Sequence, residues 1–258
     1  MSDETELRRP GREPHHYRRG VYLLPSIFTV GNMFCGYACI MFSMRGELVT
    51  AAPFIGIAVV LDMLDGRIAR MTNTASAFGL ELDSLADIIS FGIAPAVLAF
   101  AWGLSDLGRV GWAAGFIYLT AAAMRLARFN IQTVGQVDKR YFVGMPSPPA
   151  AGVVAATVFA WPYPLVGFPQ SIASIAIVLI PALLMVSTIR FRSFKTINLG
   201  WTPSYVKVVM IATLIAFIAT EPRIALVILS YGYLLSAFGE MALTRFRSHR
   251  DEPPPAAT

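Results

Sequence analysis

The sequence predicts an all-α polytopic membrane protein with about eight transmembrane helices and both termini cytoplasmic. Three observations lead there. Charged residues make up 14% of the 258-residue chain, against roughly a quarter in soluble domains. The apolar set reaches 55%, with a mean hydropathy of +0.59, and lies in long runs. Basic residues collect in alternate loops between those runs. This composition excludes a disordered chain and an ordinary soluble fold. A net charge of +5 could suggest nucleic-acid binding, but the basic residues separate apolar spans instead of clustering on a polar surface. The expected partner is the lipid bilayer, with no nucleic acid.

A stretch of roughly 17 to 25 apolar residues can cross the hydrocarbon as a helix. Residues 1–21 are polar and read as a cytoplasmic segment. The apolar run that follows is too long for the core of a cleaved signal peptide, so no cleavage is expected there. The first span, 22–43, holds the only two cysteines, Cys35 and Cys39. Their i, i+4 spacing and the lack of histidine partners favour packing over a metal or redox role. Further spans are predicted at 49–64, 80–103 and 108–129, the last closing on Arg125 and Arg128. The fifth, 147–166, opens at PSPP (146–149), where a first helical turn tolerates proline. Spans at 169–188, 205–220 and 222–242 complete the set, giving a membrane domain over 22–243 and a cytoplasmic tail over 244–258. His15, His16 and His249 all lie in the terminal segments, which argues against a histidine-based site.

Eight spans can be tested against the basic residues, which favour cytoplasmic loops. Of the 21 Lys and Arg, 18 fall on the side of the termini and only Arg45, Arg109 and Arg223 on the other. A missed span would scramble every later loop and destroy that partition.

The second and third spans carry the chemistry. Residues 62–87 read DMLDGRIARMTNTASAFGLELDSLAD. Asp62 and Asp65 are spaced i, i+3, and Asp83 and Asp87 i, i+4, so each pair shares a helix face. A short cytoplasmic link can bring the two helices side by side. Four carboxylates near hydrocarbon are costly and repel one another. Two hard divalent cations would balance them, since oxygen-only ligand sets suit Mg²⁺, Mn²⁺ or Ca²⁺, and open coordination positions could take phosphate oxygens. The plainer alternative, interfacial caps paired with Arg67 and Arg70, suits one or two aspartates better than four. Gly66 and Gly79 would permit close approach by a ligand or a neighbouring helix, and Arg70 could pair with a diphosphate.

The pattern Asp62-x2-Asp65-Gly66-x2-Ala69-Arg70-x8-Gly79-x3-Asp83-x3-Asp87 resembles the signature of the CDP-alcohol phosphatidyltransferases at all eight fixed positions. The resemblance implies a six-helix core, usually dimeric, in the cell (inner) membrane, with a two-metal Mg or Mn site facing the cytoplasm. It implies transfer of a phosphatidyl group from a CDP-linked lipid to an alcohol, with release of CMP. By the same resemblance Asp62, Asp65 and Asp83 are metal ligands, and Asp87 is a further ligand and the general base. Gly66, Arg70 and Ser76 would contact the CDP moiety, beside Ala69 and Gly79 of the signature. PSIFT (25–29), which includes Thr29, is similar to the family's substrate-contacting start of the first helix, with Ser26 where many members have Asn.

Three further segments, RLARFN (125–130), YFVGMPSPPAAG (141–152) and VSTIRFRSFK (186–195), resemble the bacterial-type phosphatidylserine synthases within that family. CDP-diacylglycerol and L-serine are then the implied substrates. A zwitterionic acceptor needs a cation for its carboxylate, and an arginine fork suits that group. The resemblance favours Arg128 and Phe129 for the role, with Lys195 as a further contact. Two alternatives stand beside it. Another acceptor, such as glycerol phosphate, an inositol compound or choline, would use the same chemistry, and a phosphorylated one would want an extra basic cluster. A cation transporter would need acidic groups along a path through the membrane, whereas the fifth to seventh predicted spans carry almost none.

Overall fold

A computed structural model describes residues 23–72, 76–134, 141–165, 167–188, 190–192 and 204–248. Eight helices run through the described residues, one for each predicted span, and the differences lie at their ends and inside the third. Helix α1 (Leu23–Met44) turns into α2 (Leu48–Thr72) through Gly46, whose φ of +74° suits glycine. The Gly46 and Glu47 N–H groups cap the carbonyls of Ser43 and Phe42 at 3.0 Å each. Helix α2 continues eight residues beyond the predicted limit of 64. Loss of hydropathy ends a membrane run but does not end a helix, because Arg, Ile, Ala and Met are all good or fair helix formers.

Helix α3 (Ala77–Leu107) starts at Ser76, whose Oγ accepts the Gly79 N–H at 3.0 Å. It is not uniformly α-helical. Ile88–Ile93 and Phe100–Leu104 widen into π turns on either side of the α-helical stretch Ala94–Ala99. Pro95 lacks an N–H and its ring crowds the preceding turn, and the wide turn before it relieves both problems. Helix α4 (Arg109–Val134) is followed by a strand, β1 (Tyr141–Val143), and α5 (Ser147–Ala160) by α6 (Phe168–Val186). A second strand, β2 (Arg190–Arg192), precedes the hairpin of α7 (Ser204–Thr220) and α8 (Pro222–Ser248).

The fold is all-α in class, with two three-residue strands added to the helices. β1 and β2 pair antiparallel, with Phe142 opposite Phe191, and tie the loop after α4 to the loop after α6. Gly144 closes the ribbon at φ +85°, where a Cβ would strike the Met185 carbonyl. Two three-residue strands leave too short an alternation to be read from sequence.

Helix α5 is the centre of the bundle. Two apolar clusters meet on it: one holds Val153, Val154, Tyr118, Met145 and Met185, the other Ala151, Val158, Ile55, Phe91 and Leu98. Its prolines occupy the first turn, as PSPP predicts, and its alanines and Gly152 let neighbouring backbones approach. Cys35 and Cys39 are free thiols packed in the second cluster. Helix α8 is fastened to α5 by Thr157 Oγ1 to Tyr231 OH at 2.8 Å and by Ser230 Oγ donating to Gly152 O at 3.3 Å. Five helices, α1 to α4 and α6, contain stretches long and apolar enough to cross a membrane, and α5, α7 and α8 hold shorter apolar segments. Phe34, Trp112, Phe116 and Ile131 lie exposed on the outside of these helices, as lipid-facing side chains would.

Candidate active site

The C-terminal end of α2 and the first turns of α3 form the site. Because α2 stays helical past Leu61, Asp62 and Asp65 stand on a rigid element, and Ser76 fixes the start of α3 two turns before Asp83. Asp62, Asp83 and Asp87 each present a carboxylate oxygen within 4.8 Å of the other two. All three are half-buried. Asp83 Oδ1 and Asp87 Oδ1 are buried with no hydrogen-bond partner among the described residues.

The fourth aspartate stands differently. Asp65 is 4% exposed and accepts a hydrogen bond from Thr29 Oγ1 at 3.1 Å, with the Gly66 N–H also donating to its carboxylate. Thr29, expected on the substrate side, thus reaches the cluster by orienting Asp65 from α1. Gly79 lies so close to the cap that a Cβ there would sit 3.1 Å from Ser76 Oγ. Ser76 spends its hydroxyl on that cap. Gly66 and Ala69 are half-buried on α2. The backbone of Arg70 belongs to α2, while its side chain and Lys195 lie outside the described residues.

A cation faces the cluster from α4. The guanidinium of Arg125 is an electrostatic neighbour of Asp87 and Asp62. It donates to Ser147 Oγ at 3.2 Å and stands 5.3 Å from the centre of the Phe129 ring. Phe129 therefore reaches the site through Arg125, and Arg128 is half-buried one turn further along α4. Asn130 Nδ2 donates to Ser84 Oγ at 3.0 Å, clamping the end of α4 beside Asp83. From α8, Tyr233 also faces Arg125.

The sequence points to Arg128 ahead of Arg125, and it does not single out Ser147, Tyr233, Asn32 or Ser90. The proline-rich start of α5 was a usable signal for Ser147, because Pro148 and Pro149 fix the first turn and hence the hydroxyl that precedes them. Nothing local marks Tyr233, which comes from a helix some hundred residues from its neighbour on the chain. Asn32 is fully buried with both carboxamide atoms unpartnered among the described residues, and its backbone carbonyl accepts Ser90 Oγ at 2.8 Å.

The donor set fits hard divalent cations. All the converging ligands are carboxylate oxygens, and two of those oxygens are buried without partners. Buried charge without a partner is costly, and a cation of this kind is what such a set would take. The residues therefore fit a hard divalent cation.

Residues 22–189 match the model of the family described as CDP-alcohol phosphatidyltransferase. Among curated proteins, the chain is 39% identical over 180 residues to a CDP-diacylglycerol–serine O-phosphatidyltransferase of Helicobacter pylori (strain ATCC 700392 / 26695), covering 69% of this chain and 75% of the relative. A protein of the same name from Mycobacterium leprae (strain TN) is 34% identical over 224 residues, covering 84% of this chain and 74% of the relative. One from Bacillus subtilis (strain 168) is 34% identical over 172 residues, covering 67% and 91%. The matched family segment ends before α7 and α8.

Proposed function

Because the chain belongs to the CDP-alcohol phosphatidyltransferase family, we propose that it transfers the phosphatidyl group of CDP-diacylglycerol to the hydroxyl of L-serine, forming phosphatidylserine and CMP. The carrying observation is the convergence of Asp62, Asp83 and Asp87 on the family motif, with a cation from α4 beside them. The acceptor follows the relatives, which from three bacterial groups bear the same serine-specific name.

In this reading Asp62, Asp65 and Asp83 hold divalent cations, with Asp87 as a further ligand. When bound, those ions would neutralise the carboxylates and stabilise charge on the diphosphate oxygens. Gly66, Ala69, Arg70, Ser76, Gly79 and Thr29 lie toward the CDP moiety. Arg128, Phe129 and Lys195 take the serine, and Arg125, held by Ser147, keeps a positive charge next to the base. The serine hydroxyl attacks the lipid-side phosphorus. The bond from that phosphorus to the bridging oxygen breaks, CMP departs with the bond pair, and the hydroxyl proton passes to Asp87. A carboxylate is a weak base for an alcohol, so positioning and electrostatics carry most of the rate.

The membrane arrangement extends the same proposal. Eight crossings over 22–243, with cytoplasmic segments at 1–21 and 244–258, place the site at the cytoplasmic face of the cell membrane. Two observations support it: the 18-to-3 partition of basic residues, and the β1–β2 ribbon, which joins two loops at one end with α5 and α6 as a round trip between them. A dimer, which the family suggests, completes the picture. The deciding assay supplies CDP-diacylglycerol with a panel of labelled alcohols and scores CMP release and the lipid formed. Serine-dependent phosphatidylserine is expected; a product from glycerol phosphate, inositol or choline instead would reassign the acceptor, and no CMP release with any alcohol would remove the enzyme reading.

A further inference from the structure

We infer that Gly36 and Ser90 form a latch between α1 and α3 that sets where Asp87 stands relative to Asp62 and Asp83, and so how tightly the cluster holds a divalent cation. The inference rests on the metal reading proposed above and adds residues outside the family signature to it.

Asp87 is the last residue of the α-helical stretch Ala77–Asp87, and the backbone widens into a π turn at the next residue, Ile88. Such a turn gives poorer hydrogen-bond geometry than an α turn and occurs as isolated insertions, frequently at functional sites. Something must hold it. Ser90, fully buried in that turn, donates to the Asn32 carbonyl of α1 at 2.8 Å. One helical turn further along α1, a Cβ on Gly36 would lie 2.6 Å from Ser90 Oγ and 2.8 Å from Ser90 Cα. Real Cβ atoms do not approach so closely, so glycine is the one residue that lets Ser90 reach the carbonyl without moving either backbone. The carbonyl that Ser90 grips lies one turn along α1 from Thr29, which holds Asp65. Within two turns, then, α1 grips both helices that carry the acids.

The magnitude decides that this matters. Cation-to-oxygen distances are about 2.0–2.6 Å, with little latitude for Mg²⁺. To place a methyl group at position 36, Ser90 Cα would have to retreat from 2.8 Å to the 3.4 Å of ordinary contact. Asp87 is three residues from Ser90 on the same stretch of backbone, so it would be carried along by a sizeable part of that distance. Gly36 and Ser90 are positioning residues, acting through Asp87 and touching no substrate.

The test uses the full-length protein purified in detergent. Mn²⁺ binding is read directly from the electron paramagnetic resonance signal of the free ion, and CMP release is measured in parallel as a function of Mn²⁺. Ser90→Ala, which removes one hydroxyl, should weaken Mn²⁺ binding about 3- to 10-fold, the worth of a neutral hydrogen bond. Gly36→Ala should weaken it by about 10- to 100-fold, as is usual when the support of a metal ligand is disturbed. In both, KM for serine stays unchanged and part of the lost kcat returns at saturating Mn²⁺. Wild-type Mn²⁺ affinity in both variants, or a kcat loss that no Mn²⁺ concentration relieves, overturns the latch. If Gly36→Ala does not fold, Ser90→Ala decides alone. Equal Mn²⁺ binding by the wild type and Asp83→Asn would instead remove the metal reading, and the latch with it.

Discussion

At the end of the bundle away from the aspartates, the loops are tied to one another by partnered polar groups. Trp102 Nε1 donates to Trp161 O at 2.8 Å, the Leu165 N–H to Trp102 O at 2.7 Å, and the Gly167 N–H to Asp106 Oδ2 at 3.3 Å. At the acidic end, Asp83 and Asp87 keep buried oxygens without partners among the described residues, and Asn32 keeps a whole carboxamide. One end closes α3, α5 and α6 into a fixed frame, and the other leaves costly groups unmet on α3 and α1. Frames of this kind make strained sites affordable, because the cost at Asp87 is borne by packing elsewhere. Substitutions at the acidic end should therefore fall on activity, and those at the closed end on stability.

The sharpest separation should come from Asp87→Asn, which keeps shape and removes the base. A loss of about 10²- to 10⁴-fold in kcat is expected from the proton-transfer role alone, with a thermal unfolding midpoint no lower than that of the wild type. A destabilised protein with near-normal kcat would erase the distinction between the ends. Arg125→Lys retains charge but loses the fork that reaches Ser147 and the plane that lies over Phe129. Its kcat/KM for serine should fall about 10- to 100-fold, since arginine and lysine are not equivalent where planar recognition matters. Wild-type kinetics in that variant would show that Arg125 only balances charge. Thr29→Val deletes the donor to Asp65 at nearly constant shape. Activity at limiting metal should drop about 5-fold, in line with one hydrogen bond to a charged group, and recover as metal is raised. Trp102→Phe, at the closed end, should cost about 1 kcal/mol of stability from the lost Trp161 bond. Its kcat should remain within twofold of the wild type, measured by the same CMP assay.

Much of this architecture is readable from residue order, for reasons that differ by element. Hydropathy finds helices because a bilayer demands apolar length, so each predicted span meets one helix; it misplaces the end of α2, because Arg67 and Arg70 end the apolar run without ending the helix. Carboxylate spacing finds Asp62, Asp83 and Asp87 because helical periodicity is local. It cannot say that Asp65 turns to Thr29, since that depends on how α1 crosses α2. The π turn after Asp87 is likewise invisible, since Ser90 within it bonds to the Asn32 carbonyl across the helix interface. Between Arg125 and Arg128 only tertiary structure decides which guanidinium faces the aspartates, as both are spaced plausibly on α4. The ribbon of β1 and β2 joins residues some fifty positions apart and leaves no periodic trace.

Helix α5 has one more consequence, for the lipid around the protein. Its 14 residues rise only about 21 Å, well short of a hydrocarbon core of about 30 Å. A lone helix of that length would thin the bilayer or pull polar groups into it. None of its residues is exposed, however, because the surrounding helices enclose it and α8 seals the side around Gly152 and Thr157. Its short span is matched by protein and not by acyl chains. A bilayer around these helices would then have to match the apolar length of the outer ones alone.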